Sequence, residues 1–269
     1  MKDRPLVSVI MGVYNCEETV RASIESIIRQ SYENWEFIIC DDCSEDATYD
    51  ICREYARKDK RFIILRNRQN RKLAAALNRC LARAQGKYIA RMDADDISLP
   101  KRLEREVSFL EKHPQIDAAG CCCYITDGKE IISKRRYKEH PQKKDLLFRP
   151  PFAHPAICVK KEVYDSLQGY TKDKKIVRAQ DLEFWFRFYE NGFTGYNLQE
   201  YLFQYRESFS DYKKRSLKTG VQTAKVFLEG YKRLHVPWCL YPLACKPVLS
   251  ALLPDRLLYW FHNGGEYAR

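Results

Sequence analysis

The stretch Lys87-Tyr-Ile-Ala-Arg-Met-Asp-Ala-Asp-Asp96 decides the fold that this sequence predicts. Residues 87–92 predict a buried β-strand, because a short apolar run after a helix-terminating residue, here Gly86, is typical of a parallel sheet. Three carboxylates follow immediately, at Asp93, Asp95 and Asp96. A buried strand that ends in acidic residues indicates that its carboxyl end lies at a sheet edge where ligands bind.

Three earlier segments predict strands of the same kind, and helices separate them. The expected strands are 5–13, 35–40 and 62–65. The first expected helix follows Asn15, which should cap it with Glu18 as its capping-box partner. The other two expected helices span 47–58 and 73–84. This alternation predicts an α/β fold with a doubly wound, mostly parallel sheet flanked by helices. Tyr14, Asp41–Asp42 and Asp93–Asp96 all follow strand ends, so we expect them to converge on one edge.

The second part of the chain is less regular. Ser98 and Pro100 are expected to begin another helix. Beyond Arg206 the alternation ends. The remaining expected elements are strands at 116–125 and 156–159, a charged excursion at 127–149, an aromatic-rich helix at 181–190, a long helix at 211–234 and an apolar, aromatic and proline-rich tail at 236–261.

These elements divide the chain into two regions. We expect one α/β domain at 1–206, with two parts at about 1–115 and about 116–206. The rest, 207–269, is expected to form a helical C-terminal appendage. The length of the whole chain, 269 residues, suits one large α/β domain with such an appendage.

Charge and cysteine content limit the partners and the compartment. A formal net charge of +11 favours polyanionic partners, which include nucleic acid, anionic membranes and phosphorylated ligands. The basic residues are spread among acids and lack the aromatic spacing of a nucleic-acid platform, so we expect no nucleic-acid partner. The eleven cysteines include one C-x-x-C, Cys40–Cys43, without a second pair, and we expect them to be reduced and mostly buried.

Asp93, Asp95 and Asp96 predict a metal site. Carboxylates crowded at a strand end repel one another, and a hard divalent cation such as Mg²⁺ or Mn²⁺ removes this repulsion while substrate phosphates complete its shell. The alternative is a solvated acidic turn that caps the next helix. Their position beyond the fourth strand, beside the other strand-end residues, favours the metal site.

Four more residues are candidates for substrate binding or catalysis. Asp42 could accept hydrogen bonds from a nucleotide base and Asp41 could orient the loop or the ribose, although an isolated pair of this kind would more often cap the helix that begins at Ala47. Tyr14 could stack on a base or simply pack at the strand edge. Asp181, at the start of the aromatic-rich helix, is a general-base candidate, and an N-cap role remains open beside it.

Several motifs occur in an order that resembles a known family. They are Ser8-Val-Ile-Met-Gly-Val-Tyr-Asn15, Cys40-Asp-Asp-Cys-Ser44, Leu73-Ala-Ala-Ala-Leu-Asn78, Gly86-Lys-Tyr-Ile-Ala-Arg-Met-Asp-Ala-Asp-Asp96 and Gln180-Asp181 with Trp185. Over about residues 5 to 206 the sequence resembles the nonprocessive bacterial family 2 glycosyltransferases, which have the GT-A fold.

The resemblance implies an activity and a set of roles. It implies a catalytic domain at 1–206, with nucleotide-sugar binding at about 1–115 and the acceptor side at about 116–206. It implies that Tyr14 and Asp42 hold the nucleotide base, that Asp93 and Asp95 are the ribose and metal contacts, and that Asp181 is the catalytic base. It further implies inverting transfer of a sugar from a nucleotide-diphosphate donor, with Mn²⁺ or Mg²⁺ as cofactor and a uridine carrier. The acceptor would be a glycan or lipid-linked glycan in cell-surface polysaccharide or lipopolysaccharide assembly.

The sequence also departs from the family pattern. Gly12 stands where many relatives carry proline, and Lys72 where many carry glycine, in a loop expected near the donor. The Q-x-x-R-W element of processive synthases is missing after Asp181, which favours transfer of a single sugar. Arg206 and His154 match family positions and are candidate substrate contacts; a surface ion pair and a structural histidine are the respective alternatives.

Two other classes of protein fit less of the sequence. A sugar-phosphate nucleotidyltransferase would need a glycine-rich phosphate loop after the first strand, where this chain has Tyr14-Asn-Cys-Glu-Glu18. A non-enzymatic, receiver-like nucleotide- or metal-binding module would leave Asp93–Asp96 and Asp181 unexplained.

The C-terminal region suggests contact with a membrane surface. Its prolines and Lys246 make 236–253 a poor membrane-spanning helix. Its aromatic residues could lie at headgroup depth, with Lys213, Lys214, Arg215 and Lys218 drawn to anionic lipid. Packing on the catalytic domain or a dimer contact explains the same residues. We therefore expect a cytoplasmic protein, either free or peripheral on the inner face of the plasma membrane.

Overall fold

The computed structural model describes residues 4–173, 176, 179–207 and 216–253. Within these residues, nine β-strands form one sheet. The strands are β1 (Val7–Val13), β2 (Trp35–Asp41), β3 (Phe62–Arg66), β4 (Tyr88–Arg91), β5 (Ile97–Ser98), β6 (Ala118–Thr126), β7 (Ile131–Arg135), β8 (Cys158–Lys160) and β9 (Gly195–Arg206). Their order is β3-β2-β1-β4-β8-β6-β9-β5, and β7 pairs with β6.

Eight α-helices accompany the sheet in the described part of the chain. They are α1 (Val20–Ile28), α2 (Thr48–Lys58), α3 (Leu73–Leu81), α4 (Arg102–Lys112), α5 (Lys161–Ser166), α6 (Gln180–Glu190), α7 (Leu217–Arg233) and α8 (Lys246–Ser250). Short 3₁₀ segments occur at Lys143–Leu147, His154–Ala156 and Trp238–Cys245.

The first four strands are parallel, as the sequence predicts, with β1 between β2 and β4. Both faces of β1 are covered, because Val9 and Met11 belong to one apolar cluster and Ile10 to the other. A strand buried on both faces reads as a continuous apolar run, which explains why β1 was recognisable. This arrangement brings the ends of β1, β2 and β4 to one edge.

The rest of the sheet is mixed rather than mostly parallel. Among the described residues, β8 runs antiparallel to β4 and β6, β7 to β6 and β5 to β9, whereas β6 and β9 are parallel. The sequence analysis did not predict β9, a strand of 12 residues. Its period-two alternation around Tyr201 and Phe203 is the signal that could have found it.

Two predicted helix starts are wrong. The first helix begins at Val20 with Thr19 as its N-cap, not at Asn15. Asn15 instead has φ +47° and its side-chain oxygen accepts a hydrogen bond from the Glu45 N–H, so it joins two loops. Ser98 lies in β5, and the following helix begins at Arg102, because pairing with β9 extends the chain there.

The C-terminal helix α7 packs against α6 and the 3₁₀ segment Lys143–Leu147. Phe186 on α6 contacts the rings of Phe227 and Tyr231 on α7, and the Tyr231 hydroxyl donates to the Leu147 carbonyl. The predicted long helix is confirmed from Leu217 onward, and 211–215 lies outside the described residues. No helix in the described part of the chain is long and apolar enough to span a bilayer.

All eleven cysteines are free thiols, in agreement with the expected reduced state. Seven of them are buried; Cys16 and Cys43 are partly buried, and Cys239 and Cys245 are exposed. The three consecutive residues Cys121–Cys123 lie on β6 and are buried there.

Candidate active site

A cleft of about 550 Å³ opens where β1 and β4 end. Four of the predicted site residues share it: Tyr14, Asp93, Asp95 and Arg206. The other lining residues are Gly12, Asn15, Cys16, Glu17, Glu18, Thr19, Asp46, Leu73 and Ala94. The convergence predicted from the strand ends therefore holds for β1 and β4, and β9 adds Arg206 from the other half of the sheet.

Carboxylates crowd together on one side of this cleft. Oxygen atoms of Asp93, Asp95 and Asp96 lie within 4.8 Å of one another, the first half-buried, the second exposed and the third buried. Burial, and then the charges of Asp95 and Asp93, raises the pKa of the Asp96 carboxyl well above its usual range. The mutual repulsion expected from the sequence is therefore present.

The donor set fits a hard divalent cation. Asp96 Oδ1 accepts a hydrogen bond of 2.7 Å from the Arg206 N–H, whereas its buried Oδ2 has no hydrogen-bond partner among the described residues. Carboxylate oxygens grouped at this spacing are the ligands that Mg²⁺ and Mn²⁺ prefer. The three carboxylates from which the sequence predicts a metal site therefore lie together, and they include Asp93 and Asp95, the two that the family resemblance implies as ribose and metal contacts.

Arg91 is a site residue that the sequence analysis missed. Its side chain is almost fully buried and binds Asp93 at two points, Nη2–Oδ1 at 2.6 Å and Nη1–Oδ2 at 2.8 Å. The charge of Asp93, and next the nearby Tyr170, raises the pKa of Arg91 despite its burial. The available signal was a positive charge inside a buried strand, which is unusual unless it is paired.

Asp41 and Asp42 lie outside the cleft lining and are engaged by the chain itself. The Asp41 carboxylate accepts from the Ser44 N–H and pairs with Arg66 Nε at 3.1 Å. The Asp42 carboxylate accepts from Asn67 Nδ2 and from the N–H groups of Arg71 and Lys72, at 2.6 to 2.8 Å. Asp42 thus anchors the loop before α3, whatever contact it makes with a nucleotide.

Lys72 has a backbone conformation that normally requires glycine. Its φ is +72° and its ψ +164°, a region that is essentially restricted to glycine because of Cβ contacts. Glycine, which the family pattern implies at this position, would adopt the conformation without strain. The side chain is exposed next to Leu73, which lines the cleft.

Asp181 is the second residue of α6 and is not its N-cap, which is Ala179. The capping alternative is therefore wrong. Burial raises the pKa of the Asp181 carboxyl, and the charge of Arg91 lowers it. Asp181 does not line the cleft, but it lies near enough to Arg91 and Asp93 for their charges to act on it.

His154 is buried behind the cleft rather than in it. Its Nε2 lies 2.9 Å from the Tyr170 hydroxyl, and its ring contacts Phe184 and Trp185 edge-on. Burial, followed by the charge of Arg91, lowers the pKa of His154 well below its usual range, so the ring is neutral at pH 7. These contacts favour the structural alternative.

Arg206 lies at the cleft because Gly128 leaves room for it. A Cβ atom on Gly128 would lie 3.0 Å from Arg206 Nε. The Gly128 φ of +97° also favours glycine there. The Arg206 side chain therefore packs against the turn between β6 and β7, and its backbone N–H binds Asp96.

Comparison with known proteins shows the family of this chain. A family model described as "Glycosyl transferase family 2" matches residues 8–166, more than half of the chain. This chain belongs to glycosyl transferase family 2.

Family 2 relatives resemble the chain to different extents. "Putative glycosyltransferase EpsE" of Bacillus subtilis (strain 168) is 40% identical over 264 residues, which are 98% of this chain and 95% of that protein. The "UDP-Glc:alpha-D-GlcNAc-diphosphoundecaprenol beta-1,3-glucosyltransferase WfaP" of Escherichia coli is 42% identical over 106 residues, 39% of this chain and 41% of that protein.

A solved structure shows that the family 2 chain has the expected fold. The mannosyltransferase PcManGT from Pyrobaculum calidifontis, in complex with GDP-Man and Mn²⁺, matches with a TM-score of 0.66 at 21% identity, covering 99% of this chain and 81% of that chain. The GT-A fold predicted from the motifs is thereby confirmed.

Proposed function

We propose that this family 2 glycosyltransferase moves one sugar from a uridine-diphosphate sugar to a hydroxyl group of a lipid-linked glycan, with inversion at the anomeric carbon. The observation that carries the proposal is the cleft that Tyr14, Asp93, Asp95 and Arg206 share at the strand ends. Its volume of about 550 Å³ is in the range of small-molecule sites.

The donor would lie along this cleft. The exposed ring of Tyr14 offers a surface on which a base can stack. Arg206 lines the cleft and Lys72 stands beside it, and both supply positive charge for a diphosphate. In this proposal Asp41 and Asp42 act on the base and ribose chiefly by holding the loops of residues 43–46 and 67–72.

Asp93 and Asp95, with Asp96, would hold a Mn²⁺ or Mg²⁺ ion, which when bound neutralises charge on the departing diphosphate. Arg91 fixes the Asp93 carboxylate from behind through two short contacts. The Arg206 backbone fixes Asp96 in the same way. The Mn²⁺ in the PcManGT complex supports this cofactor class.

Asp181 would act as the general base. Its raised pKa makes the carboxylate a better proton acceptor, and the nearby Arg91 charge favours the ionised form that must accept the proton. Asp181 takes the proton of the acceptor hydroxyl as that oxygen attacks the anomeric carbon from the face opposite the leaving diphosphate. A single displacement of this kind inverts the configuration.

The acceptor and the single transfer are supported by other observations. The name of WfaP describes transfer from UDP-Glc to a diphosphoundecaprenol-linked sugar. The processive Q-x-x-R-W element is missing after Asp181. We therefore propose a role in cell-surface polysaccharide or lipopolysaccharide assembly at the cytoplasmic side, with 1–206 as catalytic region and 207–269 as appendage.

A ligand panel tests this function directly. Nucleoside diphosphates and their sugars are added to the purified protein with and without Mn²⁺, and the melting temperature is measured, which binding raises by mass action. We expect UDP compounds to give the largest shift and to need the metal. Asp95→Asn should abolish the Mn²⁺-dependent shift in melting temperature. Glu18→Gln, in the same cleft, should preserve it.

Product analysis completes the test. The anomeric configuration of the product of an α-linked donor is read by NMR, and we expect a β-linkage. A protein that neither binds nor turns over any activated sugar with Mn²⁺ present would refute the proposal.

A further inference from the structure

Five apolar side chains near the C-terminus face solvent together. Leu217 and Val221 on α7 and Leu249, Leu252 and Leu253 on or just after α8 are between 43% and 64% exposed. We name these five residues the C-terminal apolar surface. We propose that it docks on an anionic lipid bilayer, an inference that rests on the proposed lipid-linked acceptor.

The two helices that carry this surface are in direct contact. Gly220 stands between Leu217 and Val221, and a Cβ atom there would lie 2.9 Å from the Pro247 carbonyl oxygen and 3.2 Å from the Val248 Cα. Residues four apart on a helix share a face, so Leu217 and Val221 flank the crossing point. The exposed leucines of α8 therefore adjoin the exposed stripe of α7.

An exposed aromatic side chain belongs to the same region. Trp238, at the start of the 3₁₀ segment before α8, is 85% exposed. Exposed apolar groups are common singly, but a group of this kind marks an interaction site. Tryptophan is enriched at the headgroup level of membranes, where an apolar ring with one polar N–H is best accommodated.

The charge of the region selects an anionic partner. Residues 216–253 contain five lysine or arginine residues and one acidic residue, Glu229. Lys218 and Lys225 are exposed and lie three and four positions from Val221, next to the apolar stripe. Basic groups beside inserted apolar side chains are the combination that binds anionic lipid surfaces.

The same charge disfavours a second copy of the chain as occupant. An isologous dimer would bring Lys218 and Lys225 of one copy close to those of the other, and like charges at an interface repel. Anionic headgroups instead complement them. Lys213, Lys214 and Arg215, which the sequence analysis also assigned to lipid, lie outside the described residues.

Docking here would place the catalytic base with respect to the bilayer. The α7 rings of Phe227 and Tyr231 pack on Phe186 of α6, and α6 carries Asp181 in its first turn. The α7 residues of the C-terminal apolar surface and the proposed base Asp181 thus belong to two helices in direct contact. An enzyme held on the bilayer meets a lipid-linked acceptor at a raised effective concentration.

Vesicle co-sedimentation tests the proposal without any catalytic step. The full-length protein is mixed with vesicles of equal parts phosphatidylglycerol and phosphatidylcholine, or of phosphatidylcholine alone. We expect strong binding to the first and weak binding to the second. Leu249→Ser combined with Leu252→Ser should reduce the partition coefficient about tenfold, while Ile131→Ser, at an exposed apolar position on β7, should leave it unchanged.

Charge variants supply a second arm. Lys218→Ala and Lys225→Ala should each weaken binding about fivefold, an effect that added salt removes. Lys60→Ala, an exposed lysine near α2, is the matched control. Asp181→Asn should sediment like the wild type, so failure of the transferase proposal and failure of this one are distinguishable.

Two results would overturn the docking proposal. One is a wild-type protein that ignores phosphatidylglycerol vesicles, or a double leucine variant that binds them as well as the wild type. The other is a stable dimer in sedimentation equilibrium that the double leucine variant dissociates, which would make this surface an interface between copies.

Discussion

Arg91 and Asp93 form a two-point ion pair behind the cleft, with Nη2–Oδ1 at 2.6 Å and Nη1–Oδ2 at 2.8 Å. The guanidinium is nearly inaccessible to solvent, so its partner is the main compensation for burying the charge. The pair holds Asp93 in one orientation at the edge where the metal and diphosphate are proposed to bind.

Arg91→Lys should therefore be damaging although it keeps the charge. An ammonium group cannot bind both carboxylate oxygens in this planar geometry. We expect a loss of about 2 kcal/mol in unfolding free energy, and at least about a tenfold rise in the Mn²⁺ concentration needed for half-maximal activity. Urea unfolding and a metal titration measure these quantities. Arg29→Lys, which replaces the exposed partner of Glu25 in a single 3.4 Å contact, is the control and should change neither by much.

Asp181→Asn should separate catalysis from donor binding. The amide keeps the shape of the side chain but cannot accept the acceptor proton, so kcat should fall by about 10²–10⁴. The melting-temperature shift with UDP and Mn²⁺ should stay close to that of the wild type. Glu190→Gln, at the far end of α6, should retain normal turnover. Normal turnover by Asp181→Asn would remove this residue from the mechanism.

Lys72→Gly should stabilise the protein relative to Lys72→Ala. Both variants lose the side chain, but only glycine adopts φ +72° and ψ +164° without strain. We expect the glycine variant to be more stable by about 1 kcal/mol in thermal or urea unfolding. A common loss of donor affinity in both variants would show that the lysine side chain contacts the donor. Equal stability of the two variants would contradict the strain.

Glu106 should make stability depend on pH. It lies inaccessible on α4, 3.8 Å from Arg102, and neither carboxyl oxygen has a hydrogen-bond partner among the described residues. Burial raises the pKa of Glu106 from 4.5 to about 8, although Arg102 lowers it. The Arg102 charge, the nearby thiols of Cys121 and Cys158 and the ring of Phe203 are the groups around this pair.

The sign of the effect follows from proton binding. Between pH 4.5 and about 8 the native state holds a proton that the unfolded state has lost. The stabilisation from Glu106 is thus fully present below the unfolded pKa and is lost as the pH rises through the folded pKa, by about 1 kcal/mol per pH unit. Urea unfolding between pH 5.5 and about 8 measures it. Glu106→Gln should flatten this slope, and Glu162→Gln, at an exposed site, should retain it.

The segments with a strong local pattern were predictable. Apolar runs such as 5–13 and 35–40 placed β1 and β2 within two residues, because burial on both faces demands consecutive apolar side chains. The free cysteines and the helical start of the appendage followed from composition and periodicity in the same way. Asp93 and Asp95 could be placed at the cleft because they directly follow a recognisable strand.

Contacts between distant segments were not predictable. Asn15 satisfies the pattern of a helix cap, yet it binds the Glu45 N–H 30 residues away. Three other contacts also join distant segments: Asp42 with the Arg71 N–H, β6 with β9, and Gly128 with Arg206. Such a contact depends on how the elements pack, and it cannot be predicted from the residues that are adjacent in sequence.

The amino-acid sequence by itself determined the order of strands and helices and the chemistry at the strand ends, since both depend on side chains within a few residues of each other. Only the tertiary structure decided that Arg91 holds Asp93, that the Arg206 N–H binds Asp96 and that His154 is kept out of the cleft. The physical reason is that a charged group or a ring interacts with groups that are close to it in space. The order of strands in the sheet decides which groups these are, and separation along the chain does not.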